Sequence, residues 1–234
     1  MQLPRTLSAC ACVAASLLLA ACHSMPERSA ASPTTGAVTL DSLAIPVSAE
    51  ENRAVSFTNK RSAFYYTQTH RNDHPEHAFF RGFNIAGRRI FSDYQLIVAG
   101  KALDPQAATV LVRPDALIRT HPQGITETLR LFDGQDVVEV EVGGAKGDVT
   151  LQLTGETVVH VRSGQGVDEY AATQEGDASA VDHIVVGRSG NRFLIAVGSS
   201  REAARTHYDQ AVAAAPAWQE ARSARLTVVI SGGH

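Results

Sequence analysis

The chain has 234 residues, 44% of them hydrophobic, which is enough for one domain with a substantial core. Its 24 acidic and 21 basic side chains leave a formal net charge of −3 with no basic stripe, so no nucleic-acid partner is expected. Its three cysteines, Cys10, Cys12 and Cys22, all lie near the N-terminus, which excludes a disulfide framework, a thiolate metal site and a cysteine nucleophile from the folded body.

The chain opens with Arg5 and then an uncharged, mostly apolar run from Leu7 to Ala21, the form of a secretory signal and short for a membrane span. The run ends in Leu19-Ala20-Ala21-Cys22, which resembles the bacterial lipobox, so residues 1–21 are expected to be a signal peptide and Cys22 the lipidated N-terminus. The expected partner there is a membrane, reached through acyl chains. In bacterial lipoproteins an aspartate after the cysteine favours the inner membrane. Here His23 follows, which points to the outer membrane, with the body facing the periplasm or the exterior. Residues 22–51 are rich in Ser, Ala, Thr and Pro without aromatics and read as a flexible tether with one short ordered piece near Val38 to Val47.

From Ala54 to Phe193 short alternating runs separated by turn residues predict antiparallel strands with one buried face. AVSFTN, SAFYYTQT, RRIFSDYQLIVAG and TVLVRPDALIRTH come first. GITETLRLF follows, with Leu129 and Leu131 on one parity, and Asp133-Gly134 signals a hairpin into DVVEVEV. There Val138, Val140 and Val142 face one way and Glu139 and Glu141 the other. GGAKGD then turns the chain into VTLQLTG, and ETVVHVR completes a predicted meander of four strands. VDHIVVGR and NRFLIAVGS form a hairpin through Ser189-Gly190-Asn191. Some twelve to fifteen strands, roughly, exceed what one open sheet carries, so two packed sheets are expected over residues 52–198.

Residues 199–234 read as a helical linker region. Ser199 and Glu202 stand at capping-box spacing, and Ala204, Tyr208, Ala211, Val212 and Ala215 share one helical face. A second helical piece can start at Pro216 with Trp218 as anchor, and the terminal TVVISGGH suits a helix end or a final strand equally.

The densest chemistry lies in THRNDHPEHAFFRGFNIAGRRIFSDY, residues 69–94. His70, His74 and His77 with Glu76 or Asp73 could gather as a weak metal set in a loop, but Pro75 breaks the helix that would align them. A surface or interdomain loop with local hydrogen bonds is the competing reading. Of the 14 aromatics, nine fall between Phe57 and Tyr94. Phe79, Phe80, Phe83 and Phe91 are expected in the core, while Tyr65, Tyr66 and Tyr94 are the candidates for stacking on sugar faces. Glu139 and Glu141 share a strand face at a spacing a glycosidase pair could use, although a solvated strand face explains them as well. No nucleophile elbow or phosphate loop occurs, and no cofactor is expected.

The stretches FTNKRSAFYYTQTH, HPEHAFFRGFNIAGRRIFSDYQLIVAGKALD, GITETLRLFDGQDVVEVEV and RFLIAVGSSREAA together resemble the N-terminal β-supersandwich domain of α/α-barrel glycosidases, in particular bacterial proteins similar to glycogen debranching enzymes of the amylo-α-1,6-glucosidase type. The resemblance covers about residues 52–225. It implies a mainly β fold, a two-sheet antiparallel β-supersandwich with a C-terminal helical tail. In that family the catalytic carboxylates belong to a helical toroid that follows the sandwich. No catalytic residue therefore carries over to a chain that ends at His234. The expectation is a lipid-anchored, non-catalytic domain associated with carbohydrate. The alternatives are a surface lipoprotein that binds oligosaccharide by itself, or a scaffold docking a separate α/α-barrel glycosidase chain.

Overall fold

The computed structural model describes residues 39–155, 158–174, 177–214 and 227–231. The predicted signal peptide, Cys22, most of the tether and the helical piece read at Pro216 and Trp218 lie outside the described residues. The strands in chain order are β1 (Ile45–Val47), β2 (Ala54–Thr58), β3 (Ala63–Gln68), β4 (Gly82–Ile85), β5 (Arg88–Phe91), β6 (Asp93–Val98) and β7 (Lys101–Ala102). They continue with β8 (Thr109–Val112), β9 (Leu117–Thr120), β10 (Thr126–Leu131), β11 (Val137–Gly143), β12 (Val149–Thr154) and β13 (Val158–Gly164). The last are β14 (Val167–Gln174), β15 (Asp177–Ser189), β16 (Arg192–Gly198), the helix α1 (Arg201–Ala213) and β17 (Thr227–Ser231).

Among the described residues the fold is mainly β, with antiparallel sheets and one C-terminal α-helix. Nine strands form the large sheet in the order β1-β8-β9-β10-β11-β16-β15-β14-β13. The second layer is divided into two four-stranded sheets, β2-β3-β4-β5 and β17-β12-β6-β7, joined in the chain at Ser92, whose N–H donates to the Thr154 carbonyl at 2.8 Å. One core contains side chains from all three sheets, with Tyr65, Phe83, Phe91, Leu129, Leu151 and Phe193 fully buried. Burial of each contributes about 1.5–3 kcal/mol.

Strand alternation sends the other face of the large sheet to a second, smaller core. On β16, Phe193, Ile195 and Val197 point into the main core, while Leu194 and Ala196 meet Ala204, Tyr208 and Ala211 of α1. This explains the unbroken apolar run of RFLIAVG, buried on both faces. The helix is capped by Ser200, whose side chain accepts from the Ala203 N–H at 3.1 Å. The cap therefore lies one residue beyond the Ser199 position that the sequence predicted.

Several other expectations change. The four-strand meander does not form: β10 and β11 pair, but β12 crosses to the other layer beside β6, and β13 returns to the far edge of the large sheet beside β14. GGAKGD is thus a crossover between layers. The ordered piece expected near Val38 to Val47 is β1, paired with β8, so the sheet begins inside the segment read as tether. Residues 227–231 form a strand, not a helix, and pair parallel to β12 in an otherwise antiparallel architecture.

Two tight hairpins fix the second layer. Ala86-Gly87 and Ala99-Gly100 are two-residue turns with positive φ at both positions, the mirror-image turn that suits strand twist. Gly82 is needed for another reason. It has φ +89°, and a Cβ there would lie 2.0 Å from the Phe91 carbonyl oxygen. Only glycine lets β4 approach the β5–β6 junction this closely. Replacing Gly82 with Ala is expected to lower stability by about 2–4 kcal/mol, from backbone strain and overlap together. Urea denaturation measures this, and a loss below about 0.5 kcal/mol would contradict the close approach.

Candidate functional site

Between β3 and β4 the chain makes a long excursion over residues 69–81. Pro75 starts a single 3-10 turn, Pro75–His77, and extended backbone at His74 precedes it. The two phenylalanines that follow do not enter the core as the sequence predicted. Phe79 is 75% and Phe80 50% exposed, and their rings meet edge to face at 5.1 Å.

That exposure is enforced by hydrogen bonds on both sides of the pair. Asn84 Nδ2 donates to the Phe80 carbonyl at 2.9 Å, and Arg89 Nη1 donates to the Ala78 carbonyl at 2.9 Å. Arg81 Nη2 donates to the Asn72 carbonyl at 2.6 Å. The start of the excursion is held by side-chain amides. Asn52 Oδ1 accepts from the His70 and Arg71 N–H groups, Gln68 Oε1 from the Asp73 N–H, and Asn72 Oδ1 from the Gln68 N–H. Such groups replace the sheet bonds that a long loop gives up.

Behind the pair lies a cleft of about 510 Å³, where the free edge of β5 faces the β14–β15 hairpin. Phe64, Phe91 and Ile90 give it apolar walls, and Ser92, Thr173, Arg88 and Asp182 give it polar ones. Arg88 crosses the gap as a two-point ion pair to Asp182, Nη2 to Oδ1 at 2.6 Å and Nε to Oδ2 at 3.2 Å. A half-apolar cleft with a few convergent polar groups is the general form of a small-molecule site.

A second polar centre lies inside the sandwich. Arg119 on β9 and Glu127 on β10 are directly paired in register, both on the inner face and both buried. Arg119 Nη1 donates to Glu127 Oε1 at 2.6 Å, its Nε to the Thr69 carbonyl at 2.9 Å and its Nη2 to the Gln68 carbonyl at 3.1 Å. Glu127 Oε1 also accepts from Tyr94 Oη at 2.5 Å, while Oε2 lies 3.1 Å from His121 Nε2. Burial alone would raise the Glu127 carboxyl. The Arg119 charge and the hydrogen bonds from His121 and Tyr94 outweigh it and hold the carboxyl down to about 2. This cluster ties the large sheet to both smaller ones, and His121 Nδ1 is the buried nitrogen in it that has no hydrogen-bond partner.

The residues singled out from sequence do not converge on one site, although His74, Glu76 and His77 lie together on the exposed loop, with the two imidazole rings 5.7 Å apart. Tyr65 is fully buried between Phe91 and Tyr94, so it cannot stack on a sugar. Tyr94 is half-buried and its hydroxyl is spent on Glu127. Tyr66 is half-buried, its hydroxyl is enclosed and its ring packs on His77 with centroids 5.6 Å apart. His70 is buried with Nδ1 3.0 Å from Thr69 Oγ1, apart from the exposed His74–Glu76 contact of 3.1 Å and from His77. Among the described residues no group of three or more His, Cys, Asp or Glu is arranged to hold a metal. Glu139 is not on a solvated face: it is buried and ion-paired with Arg192 and with Arg130, and Glu141 pairs with Arg130 at 2.9 Å.

Sequence reasoning missed Arg119 and Glu127, yet both leave a trace. Glu127 occupies the apolar parity between Ile125 and Leu129, and Arg119 the same parity as Leu117. Two opposite charges in inward slots of adjacent strands mark a buried pair. Comparison with protein-family models, with curated proteins and with solved structures finds no match. The resemblance to glycosidase sandwiches therefore rests on its quoted residues alone.

Glu127→Gln leaves Arg119 buried without its counter-charge and is expected to cost about 3–5 kcal/mol. A depressed carboxyl stabilises fully above its unfolded value, about 4.3, and that contribution is lost as pH falls toward about 2. The wild type should therefore lose stability across that window, and the variant should lose less. Denaturant titrations at several pH values measure both, and identical acid slopes would contradict the pair.

Proposed function

We propose that this protein is a lipid-anchored, non-catalytic carbohydrate-binding β-sandwich of the bacterial cell envelope, held at the outer membrane through Cys22. The Phe79–Phe80 loop and the adjoining cleft receive an oligosaccharide. The observation that carries this reading is the clamped exposure of the two rings. Large apolar side chains normally leave water, and a loop free to relax would fold them onto the surface. Here side-chain bonds to the backbone at Ala78 and Phe80 keep them out. A pyranose has apolar C–H faces that stack on such rings and hydroxyls that seek groups such as Arg88, Ser92, Thr173 and Asp182.

Support for a binding role without catalysis comes from Glu139 and Glu141. The acidic pair nominated by the sequence is neutralised by Arg130 and Arg192 and has no free carboxylate to offer as acid or base. The likeness of the aromatic and glycine-rich stretch to glycosidase sandwiches points to the same class of ligand.

A glycan array followed by calorimetry on the best ligand tests the reading. The Phe79→Ala/Phe80→Ala double variant alters exposed rings only and should fold normally. Its affinity should fall at least tenfold, about 1.4 kcal/mol. Absence of glycan binding by the wild type, or equal binding by the variant, would overturn the proposal. For the anchor, Cys22→Ser should move the protein from the membrane fraction to the soluble fraction of cells. Retention of the variant in the membrane would contradict lipidation at that residue.

A further inference from the structure

Where Ser92 lines the cleft behind the phenylalanines, its neighbour Asp93 lines a different cavity of about 370 Å³. The first turn of the 69–81 excursion, Arg81, the start of β6 and the loop at Leu103 to Gln106 enclose it, with Arg119 and Glu127 in its wall. Its size falls in the range of small-molecule sites, about 300–1,000 Å³. The groups in it divide into saturated and unsaturated ones.

Arg119, Glu127 and the Tyr94 hydroxyl satisfy one another and form a fixed polar wall. Asp93 differs. Glu127, Glu139, Glu169 and Asp182 are buried carboxylates that each have an arginine within ion-pair distance. Asp93 is half-buried and has no ion pair among the described residues. Its Oδ1 accepts from the Tyr94 N–H and its Oδ2 from Asn72 Nδ2, both at 2.9 Å. Each oxygen keeps a lone pair for another donor. Desolvation raises the Asp93 carboxyl, against the hydrogen bonds from Asn72 and Tyr94 and the charges of Arg119 and Arg81. His70 is the second group with spare capacity. It is 2% exposed and lines the cavity, and its Nε2 makes no well-formed hydrogen bond, the Ala108 backbone being a weak partner to the ring. Burial, then the Arg119 charge, lower its pKa against the Ala108 backbone and the Glu50 charge, which favours the neutral ring.

Charge decides what kind of ligand fits. Arg119 is cancelled by Glu127, and Arg71 by Asp73 at 2.6 Å. Arg81, bonded to a neutral carbonyl, is offset by Asp93. An ion of either sign would unbalance this set, whereas a neutral molecule carrying both donors and acceptors would not. We infer that the cavity is a binding site for a neutral polyol, the Asp93 carboxylate accepting from its hydroxyls beside the His70 imidazole. The inference rests on the oligosaccharide reading and deepens it, adding a second, polar recess for hydroxyls to the cleft behind the Phe79–Phe80 loop. Asn52, Gln68 and Asn72 hold the wall in place before any ligand arrives, which favours binding by removing the cost of ordering it.

The test follows the His70 ring resonances by NMR during titration of the full chain with glucose, with glucosamine as the cation and with gluconate as the anion. Glucose should shift them saturably in the wild type and in the Phe79→Ala/Phe80→Ala variant. Asp93→Asn should weaken that response at least tenfold, and Gln106→Ala, an exposed change at the cavity rim, should weaken it by a smaller factor with the fold intact. No response to glucose, a stronger response to either ion, or a response unchanged in both cavity variants would overturn the inference. Glycan binding that depends on the phenylalanines but leaves His70 unmoved would overturn it while the oligosaccharide reading stands. A His70 response in both proteins with no phenylalanine-dependent glycan binding would support the cavity and remove the stacking loop.

Discussion

The Arg119–Glu127 ion pair is the point through which the three sheets communicate. Two adjacent strands of the large sheet contribute the charges, the last residue of β3 and the one after it each supply a carbonyl to the guanidinium, and β6 supplies the Tyr94 hydroxyl. A buried pair of this kind is weak evidence for net stability, since apolar packing could serve as well. Its consequence is positional. The carbonyls it holds are those of Gln68 and Thr69, where β3 gives way to the 69–81 excursion. The root of the loop is therefore fixed to the core of the sandwich.

From that root outward, each stretch of the excursion is secured by a different side chain. Asn52, Gln68 and Asn72 hold the first turn, and Arg81, Asn84 and Arg89 hold the return. What is left facing solvent is the pair of rings at its tip. Loops that carry function are commonly displayed on rigid scaffolds in this way. The same fixation shapes two recesses, one on each side of the Ser92–Asp93 step, of opposite character. One is half apolar and crossed by Arg88 and Asp182, and the other is polar and balanced in charge.

Much of this was legible in the sequence because strand periodicity and turn chemistry act locally. The hairpins of β10–β11 and β15–β16, the mainly β class and the helix after Gly198 all follow from short-range patterns. Two kinds of information were not local. The destination of β12 is set by which layer has an open edge, and nothing in GGAKGD distinguishes a hairpin from a crossover. The environment of Glu139 depends on the arginines placed opposite it, Arg130 and Arg192, which alternation along β11 alone does not reveal. The aromatics show the limit most clearly. Tyr65 and Phe83 enter the core because they sit on strands facing it. Phe79 and Phe80 follow a 3-10 turn with no periodicity, so their composition suits a core while their position keeps them out.

The most direct measurement is a crystal structure of the protein soaked with the tightest-binding oligosaccharide. Density for a pyranose ring stacked on Phe79 or Phe80, with hydroxyls toward the cleft, is the expected result. An oligosaccharide bound elsewhere on the surface, with both rings bare, would contradict the assignment of that loop as the site of recognition.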